Sequence, residues 1–343
     1  MRKKIIIAVG GTGGHVLPAQ KIGKKLSERF EVVYLGVGLS SNPFFEKEGT
    51  HFYDIEGSGL AKGVVHCLKK NLRGIRDAKI LLNKLKPDFV IGFGSYHSFP
   101  VLVAGAYLGI PYYLFEFNVV PGKVNRLFSR GATKVFIHFQ PKRKKLEGNL
   151  ELIDYSFEDL ITVSQIEARL HFNLDPDKKT LLVFGGSQGA GAINDLVLKG
   201  APQLRDQYQL LHFSGKDNDF QQKYTELSIT NHVRPFCKRM DLAWTACDLA
   251  ICRSGAVAMR EILIFEKPAI LIPYPGSKDD HQTDNAKYIE ETVQGGTHLT
   301  QKKLTPEALI NHILITTSKL DAMKQSIQEF KAKNPRPSYT HSF

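Results

Sequence analysis

The chain has 343 residues, 42% of them hydrophobic and 23% charged, which is long for one α/β domain and comfortable for two. No apolar run approaches the ~20 residues of a membrane-spanning helix, and the apolar part of the start MRKKIIIAVGG is too short for a signal peptide. Its 46 basic against 34 acidic residues give a formal charge of +12, which favours an anionic partner. No nucleic-acid-binding signature is present and aromatics are not interleaved with the basic residues. A phosphorylated ligand or an anionic membrane surface is therefore expected, not nucleic acid.

In chain order, KIIIAV (4–9) reads as a first buried strand, and VGGTGGHVLPA (9–19) as the turn from it into a helix. EVVYLG (31–36) follows as a strand. The stretch Lys62–Lys86 reads as a helix with Lys69, Lys70, Arg73, Arg76, Lys79 and Lys84 on its polar side. Leu68, Leu72, Ile75, Leu82 and Leu85 give it an apolar face, expected to pack inward. DFVIGF (88–93), PYYLFEF (111–117) and KVFIHF (134–139) complete a first strand series, and PKRKKLEGN (141–149) is the natural linker after it. A second series is TLLVFG (180–185), QLLHFS (209–214), HVRPF (232–236), DLAICR (248–253) and PAILIPY (268–274). Strands alternating with helical segments imply parallel sheets covered on both faces.

The turn FGGSQGAGAIND (184–195) echoes VGGTGGHVLPAQ (9–20). Two such openings predict two Rossmann-like domains, 1–150 and 151–319, facing across a cleft. The closing segment of about 320–343, which opens with the helical sequence LDAMKQSIQEFKAK (320–333) and ends in a polar tail expected to fray, is expected to pack back on the first domain. Cys67, Cys237, Cys247 and Cys252 form no C-x-x-C pair and no zinc spacing, so they read as buried or incidental thiols in a reducing cytosol.

Glycine lets backbone N–H groups approach an anion, and the helix that follows adds the positive end of its dipole. Neither glycine turn has the dinucleotide G-x-G-x-x-G spacing or the Gly-Lys-Ser/Thr of a Walker loop, which argues against NAD or ATP. Each turn alone could equally be a tight connection. Asp175-Pro176-Asp177 and Asp217-Asn218-Asp219 could suggest a metal-dependent transferase, but both fall in expected turns, where Asp bonds its own backbone.

Six motifs in fixed order carry a stronger signal: GGTGGHVLPA, GFGSYHSFP (92–100), EFNVVPGKVNRLFS (116–129), FGGSQGA (184–190), CRSGAVAMREI (252–262) and HQTDNA (281–286). Together they resemble the MurG family over about residues 4–315. The resemblance implies the two-Rossmann GT-B fold and inverting transfer of N-acetylglucosamine from UDP-GlcNAc to a lipid-linked muramyl-pentapeptide. It implies no cofactor, no metal for the transfer itself and a peripheral position on the cytoplasmic face of the bacterial inner membrane. Partners would be that anionic membrane surface and other cell-wall synthesis or division proteins. The basic helix at 62–86 then suits docking on lipid.

By the same resemblance, the second half holds UDP-GlcNAc through Ser187, Gln188, Gly189, Phe236, Cys237, Met240, Arg253, Ser254, Gly255, Ala256, Glu261, His281 and Gln282, with Asn118 from the first half. Glu261 would accept from the ribose hydroxyls, Gln282 would bind the sugar, and 236–240 would pack on uracil. The acceptor would lie against Gly11, Thr12, Gly13, Gly14, Tyr96, Ser98 and Asn125. A base must take the proton of the attacking C4 hydroxyl; His15 is the first candidate and Glu116 the second.

Three departures stand out. The family's His-Glu-Gln-Asn is Phe115-Glu116-Phe117-Asn118, its Asn-Pro-Val-Arg hinge is Asn149-Leu150-Glu151-Leu152, and the second Gly of Gly-Gly-Tyr is Ser95. They keep two alternatives open. One is another UDP-sugar enzyme of this fold, a diacylglycerol glycosyltransferase or a UDP-GlcNAc 2-epimerase; the other is a sugar-nucleotide binder without turnover.

Overall fold

A computed structural model of the chain describes residues 2–59, 63–142, 145–154, 163–186, 189–215, 219–339 and 343. It divides into two compact units, Met1–Glu158 with Arg336–Phe343, and Asp159–Pro335.

The first unit runs β1 (Lys4–Ala8), α1 (Gly13–Leu26), β2 (Glu31–Val37), β3 (Phe52–Ile55), α2 (Val64–Leu85), β4 (Phe89–Gly92), α3 (Ser95–Tyr107), β5 (Tyr112–Glu116), α4 (Lys123–Phe128), β6 (Lys134–Ile137) and β7 (Leu150–Leu152). Its sheet has the order β3-β2-β1-β4-β5-β6-β7 with every pairing parallel. The second unit runs α5 (Gln165–His171), β8 (Lys179–Phe184), α6 (Gly191–Gly200), β9 (Tyr208–Phe213), α7 (Phe220–Glu226), β10 (Asn231–Arg234), α8 (Met240–Ala246), β11 (Leu249–Cys252), α9 (Ala256–Phe265), β12 (Ala269–Leu271), α10 (His281–Lys287), β13 (Gly296–His298), α11 (Pro306–Thr317) and α12 (Leu320–Lys333). Its sheet, β10-β9-β8-β11-β12-β13, is also parallel throughout.

Central strands are buried on both faces: Ile5, Ile6 and Ile7 of β1 are wholly enclosed, as are Leu181, Leu182 and Val183 of β8. Each such side chain contributes on the order of 2 kcal/mol of burial. That is why the runs read as continuous apolar stretches and not as alternation. Every strand expected from the sequence forms. β3, β7 and β13 were not expected; each is a short strand at the edge of its sheet, where one neighbour is missing and the apolar run shrinks.

Two boundaries differ from expectation. Residues 141–149 do not end the first unit, because Leu150–Leu152 then pairs with β6 as a seventh strand. There Glu151 forms an ion pair with Lys134, which gives the altered hinge sequence a place in the sheet. The closing helix also stays with the second unit: α12 packs on α9, and Lys331 and Gln328 bond both carboxylate oxygens of Glu266 at 2.5 and 2.7 Å.

The tail beyond it joins the first unit and is anchored there. Tyr339 is buried with its ring edge on Phe115, and Phe343 stacks on Phe89 and meets Tyr113 and Phe136. Arg336 donates to His138 at 3.0 Å, and the Asp154 amide donates to the Pro337 carbonyl at 3.0 Å. Aromatic rings drive this docking, which a composition dominated by polar and proline residues concealed.

Candidate active site

In the first sheet the strand order turns back between β1 and β4, the crossover at which open α/β sheets leave a ligand crevice beyond their carboxyl ends. Helices α1 and α3 start at that point, and neither has a side-chain cap or an acidic residue in its first turn. Their leading N–H groups and dipoles are therefore available to an anion.

Gly11 sits at φ +93°, a conformation that glycine adopts without strain, and its carbonyl accepts from Asn42 Nδ2 at 2.6 Å. Thr12 precedes the helix, and its carbonyl accepts from the amides of His15 and Val16 at 3.0 and 3.1 Å. Gly13 is buried against Phe44, while Thr12 and Gly14 are exposed and His15 is half-buried in the first turn of α1. Tyr96 is half-buried in the first turn of α3 and stacks on His97 with centroids 3.8 Å apart.

Glu116 is a different kind of residue from the one expected. It is 4% exposed and ends β5. Oε1 accepts from the Asn118 amide and side chain at 3.0 and 3.3 Å; Oε2 accepts from the Gly122 amide at 2.8 Å and Asn125 Nδ2 at 3.0 Å. A carboxylate whose two oxygens are occupied by four donors organises the 116–125 loop and is poorly placed to receive a substrate proton. Asn125, 1% exposed, also donates to the Phe115 carbonyl at 2.9 Å and acts as a brace. Ser98 is wholly buried, its hydroxyl donating to the carbonyls of Gly94 and Ser95. Asn118 is half-buried and belongs to the same carboxylate-centred loop. The neighbouring Phe115 and Phe117 pack with Phe93 and each other, a core role that polar residues could not fill.

The second sheet turns back between β8 and β11, and α6 and α9 start there, again uncapped and without acidic residues in their first turns. Gly186 and Gly189 have φ of +86° and +73°, and the Gly189 amide donates to the Gly186 carbonyl at 2.9 Å. A methyl group on Gly189 would come within 2.7 Å of the Ser214 carbonyl, so this loop lies directly on the end of β9. Ser187 and Gln188 lie outside the described residues. Gly255 and Ala256, both half-buried, lead α9, and nothing lies within 4 Å of where a Gly255 Cβ would be.

Around this crossover several of the expected ligand residues hydrogen-bond within the fold. Arg253 donates through Nη1 to the carbonyls of Ile272 and Pro273, each at 3.0 Å, and burial lowers its pKa from the usual arginine value. Ser254 is wholly buried; its hydroxyl donates to the Gln282 carbonyl at 2.7 Å, and its carbonyl accepts from Asn285 Nδ2 at 3.0 Å. These bonds tie the start of α10, with His281 and Gln282, to the turn before α9. Gln282 Oε1 accepts from the Tyr274 amide at 2.9 Å, so the amide nitrogen is its group suited to donate to a ligand.

Glu261 is half-buried, and Trp244 Nε1 donates to its Oε2 at 2.9 Å. The indole, itself wholly buried, fixes the carboxylate in the way a bidentate hydroxyl acceptor requires. Phe236 is 59% exposed and offers a ring face, whereas the adjacent Cys237 is buried, its thiol pushed up by that burial. Met240 is half-buried at the start of α8.

Sequence reasoning missed the supports: Trp244 behind Glu261, Asn42 and His97 beside the first glycine turn, and a buried chain in the second unit. In that chain Asn194 Nδ2 donates to the Ser214 carbonyl at 2.8 Å, so its Oδ1 is the acceptor facing His212 Nε2 at 3.0 Å; His212 Nδ1 meets the Tyr224 hydroxyl at 3.0 Å. Nothing in local spacing marks these partners, which meet only through the fold. Asp175-Pro176-Asp177 does form a local turn, the Asp177 amide donating to Asp175 Oδ1 at 2.9 Å; Asp217 and Asn218 lie outside the described residues.

Comparison with known proteins matches residues 5–137 to the glycosyltransferase family 28 N-terminal domain and residues 180–338 to the family's C-terminal domain. The UDP-N-acetylglucosamine--N-acetylmuramyl-(pentapeptide) pyrophosphoryl-undecaprenol N-acetylglucosamine transferase of Protochlamydia amoebophila is 36% identical, with 98% of this chain and 94% of that protein covered. The protein of the same name from Chlamydia trachomatis serovar L2 is 37% identical over 91% of this chain and 89% of its own length. The crystal structure of Acinetobacter baumannii MurG superposes with a TM-score of 0.78 at 27% identity, covering 99% of this chain and 97% of that one. The chain therefore belongs to the MurG family of glycosyltransferases, with the two Rossmann-like domains of the GT-B fold.

Proposed function

We propose that the chain transfers N-acetylglucosamine from UDP-GlcNAc, with inversion, to the C4 hydroxyl of undecaprenyl-pyrophosphoryl-N-acetylmuramyl-pentapeptide. The observation that carries this reading is the pairing of two different turns at the two sheet crossovers, one leading to an imidazole and the other accompanied by an indole-held carboxylate. The names and near full-length similarity of the relatives support the same substrates.

In this reading the uncapped starts of α6 and α9 receive the diphosphate and stabilise the departing UDP. Glu261 accepts from the ribose hydroxyls, Phe236 packs on uracil, and Gln282 donates to the sugar. The turn Gly11–Gly14 and the start of α3, with Tyr96, face the acceptor's pyrophosphate. His15 takes the proton of the attacking hydroxyl, a role worth ~10²–10⁴-fold in rate. Glu116, Asn125 and Ser98 support this side from within the fold, and Ser254 and Arg253 support the other.

The membrane contact is assigned to α2. Its expected inward leucines are only partly inward: Gly74, Ala78 and Leu82 are buried, while Val64, Val65, Leu68 and Leu72 are 58–80% exposed. At helical spacing these four share one face, beside exposed Lys69, Arg73 and Arg76. An apolar stripe flanked by cations suits peripheral binding to anionic lipid, where an anchored acceptor would be met. Among the described residues no helix is long and apolar enough to cross a membrane.

The test is UDP release from UDP-GlcNAc with and without the lipid-linked muramyl acceptor. Acceptor-dependent release is expected. Turnover without acceptor would instead indicate an epimerase or hydrolase, and binding without turnover an inactive sugar-nucleotide protein.

A further inference from the structure

Ser95 and His97 lie at the first crossover, in the opening turn of α3. Ser95 has φ +64°, directly after Gly94 at +70°, so two successive residues have positive φ. Glycine would occupy position 95 with less strain. A serine kept there has its Oγ 2.8 Å from His97 Nδ1. The imidazole is confined on its other sides. Tyr96 stacks on it, and a methyl group on Gly10 or Gly11 would come within 2.8 Å of the His97 side chain. Gly11 is held from a second direction by Asn42, which donates to its carbonyl at 2.6 Å.

We propose that Ser95 and His97 act as one positioning pair: the serine hydroxyl fixes the imidazole, and the imidazole edge fixes the Gly10–Gly11 backbone and so the placement of His15. This rests on the reading that the first glycine turn serves the acceptor. The pair never touches the reacting atoms. It acts through a backbone on which a displacement near 1 Å can cost about 10²-fold in rate.

The distinguishing variant is Ser95→Gly, which relieves the left-handed strain and removes the hydroxyl. Its expected behaviour is a melting temperature equal to or above that of the parent, with kcat reduced about tenfold and the KM for UDP-GlcNAc unchanged. His97→Val should lower kcat similarly, and the double variant should be no worse than His97→Val alone. His97→Asn, whose amide can still meet Ser95, should retain more activity than His97→Val. Unchanged kcat in Ser95→Gly, a fall in its melting temperature, or losses that multiply in the double variant would overturn the pairing.

A readout without turnover separates this proposal from the acceptor assignment. Amide exchange at Gly11–Val16 should accelerate in Ser95→Gly and His97→Val, and unchanged exchange would refute the clamp whatever the turn binds. If the acceptor assignment alone is wrong, parent UDP release will ignore the lipid-linked acceptor while the exchange effect persists.

Discussion

Glu116 and His15 were both candidates for the base, and the surroundings of each separate their roles. Four donors fill the Glu116 carboxylate, whereas His15 stands half-buried in the first turn of a helix at a crossover. Glu116→Gln would turn an amide N–H₂ toward donors it cannot accept from, costing about 2–3 kcal/mol of stability. His15→Ala should leave thermal stability nearly unchanged and lower turnover by at least about 10²-fold. Thermal melts beside acceptor-dependent rates check both; a His15→Ala enzyme of normal turnover would remove it as the base.

A second residue-scale expectation concerns Asp241. Arg239 donates to both its oxygens at 2.7–3.2 Å and holds its pKa below the usual carboxylate value. The folded pKa is depressed, so the stabilisation is present above the ordinary value near 3.9 and disappears as pH falls through the lower folded one. Asp241→Asn should therefore cost about 0.5 kcal/mol between pH 5 and 8, the pair being partly exposed. Denaturant melts at successively lower pH, below the ordinary carboxylate value, should show that difference shrinking.

At this scale His15, Glu261 and Gln282, which the sequence offered as site residues, lie by the two crossovers. It could not tell ligand from brace at Ser98, Asn125 and Ser254. The side chains of those three donate to backbone carbonyls 3 to 28 residues away, and such partners are invisible before the chain folds.

Among the elements, the central strands were legible because burial on both faces leaves unbroken apolar runs. The edge strands β3, β7 and β13 were not, because each is only three or four residues long with at most one of them buried. Helix α2 was legible as a helix but not in its orientation. Its leucine spacing matched an inward face, yet small residues, Gly74 and Ala78, take packed positions, and Gly74 lets α2 lie close against the Glu56 carbonyl and Pro100 of α3. The consequence is an exposed apolar stripe beside cations. Replacing Leu68 and Leu72 together by Ser should change stability by no more than about 0.5 kcal/mol per site. Flotation with anionic liposomes should show markedly weaker binding; unchanged partitioning would remove α2 as the docking face.

For the whole molecule, the duplication of strand, glycine turn and helix was the feature that announced two domains, and their boundaries depended on contacts far apart in sequence. The tail illustrates this: Tyr339 and Phe343 dock on rings from β4, β5 and β6, more than 190 residues earlier. The Phe115 departure from the family pattern lies under Tyr339, so the altered motif and the tail form one aromatic core. Tyr339→Ala should cost about 3 kcal/mol, seen as earlier unfolding of the first unit by amide exchange, with the second unit unaffected.

The central claim is that the two similar turns serve different substrates. Calorimetric titration of UDP-GlcNAc into the His15→Ala and Glu261→Ala variants tests it directly. The affinity should stay within about twofold of the parent for His15→Ala and fall at least about tenfold for Glu261→Ala. Donor binding lost in His15→Ala and kept in Glu261→Ala would contradict it.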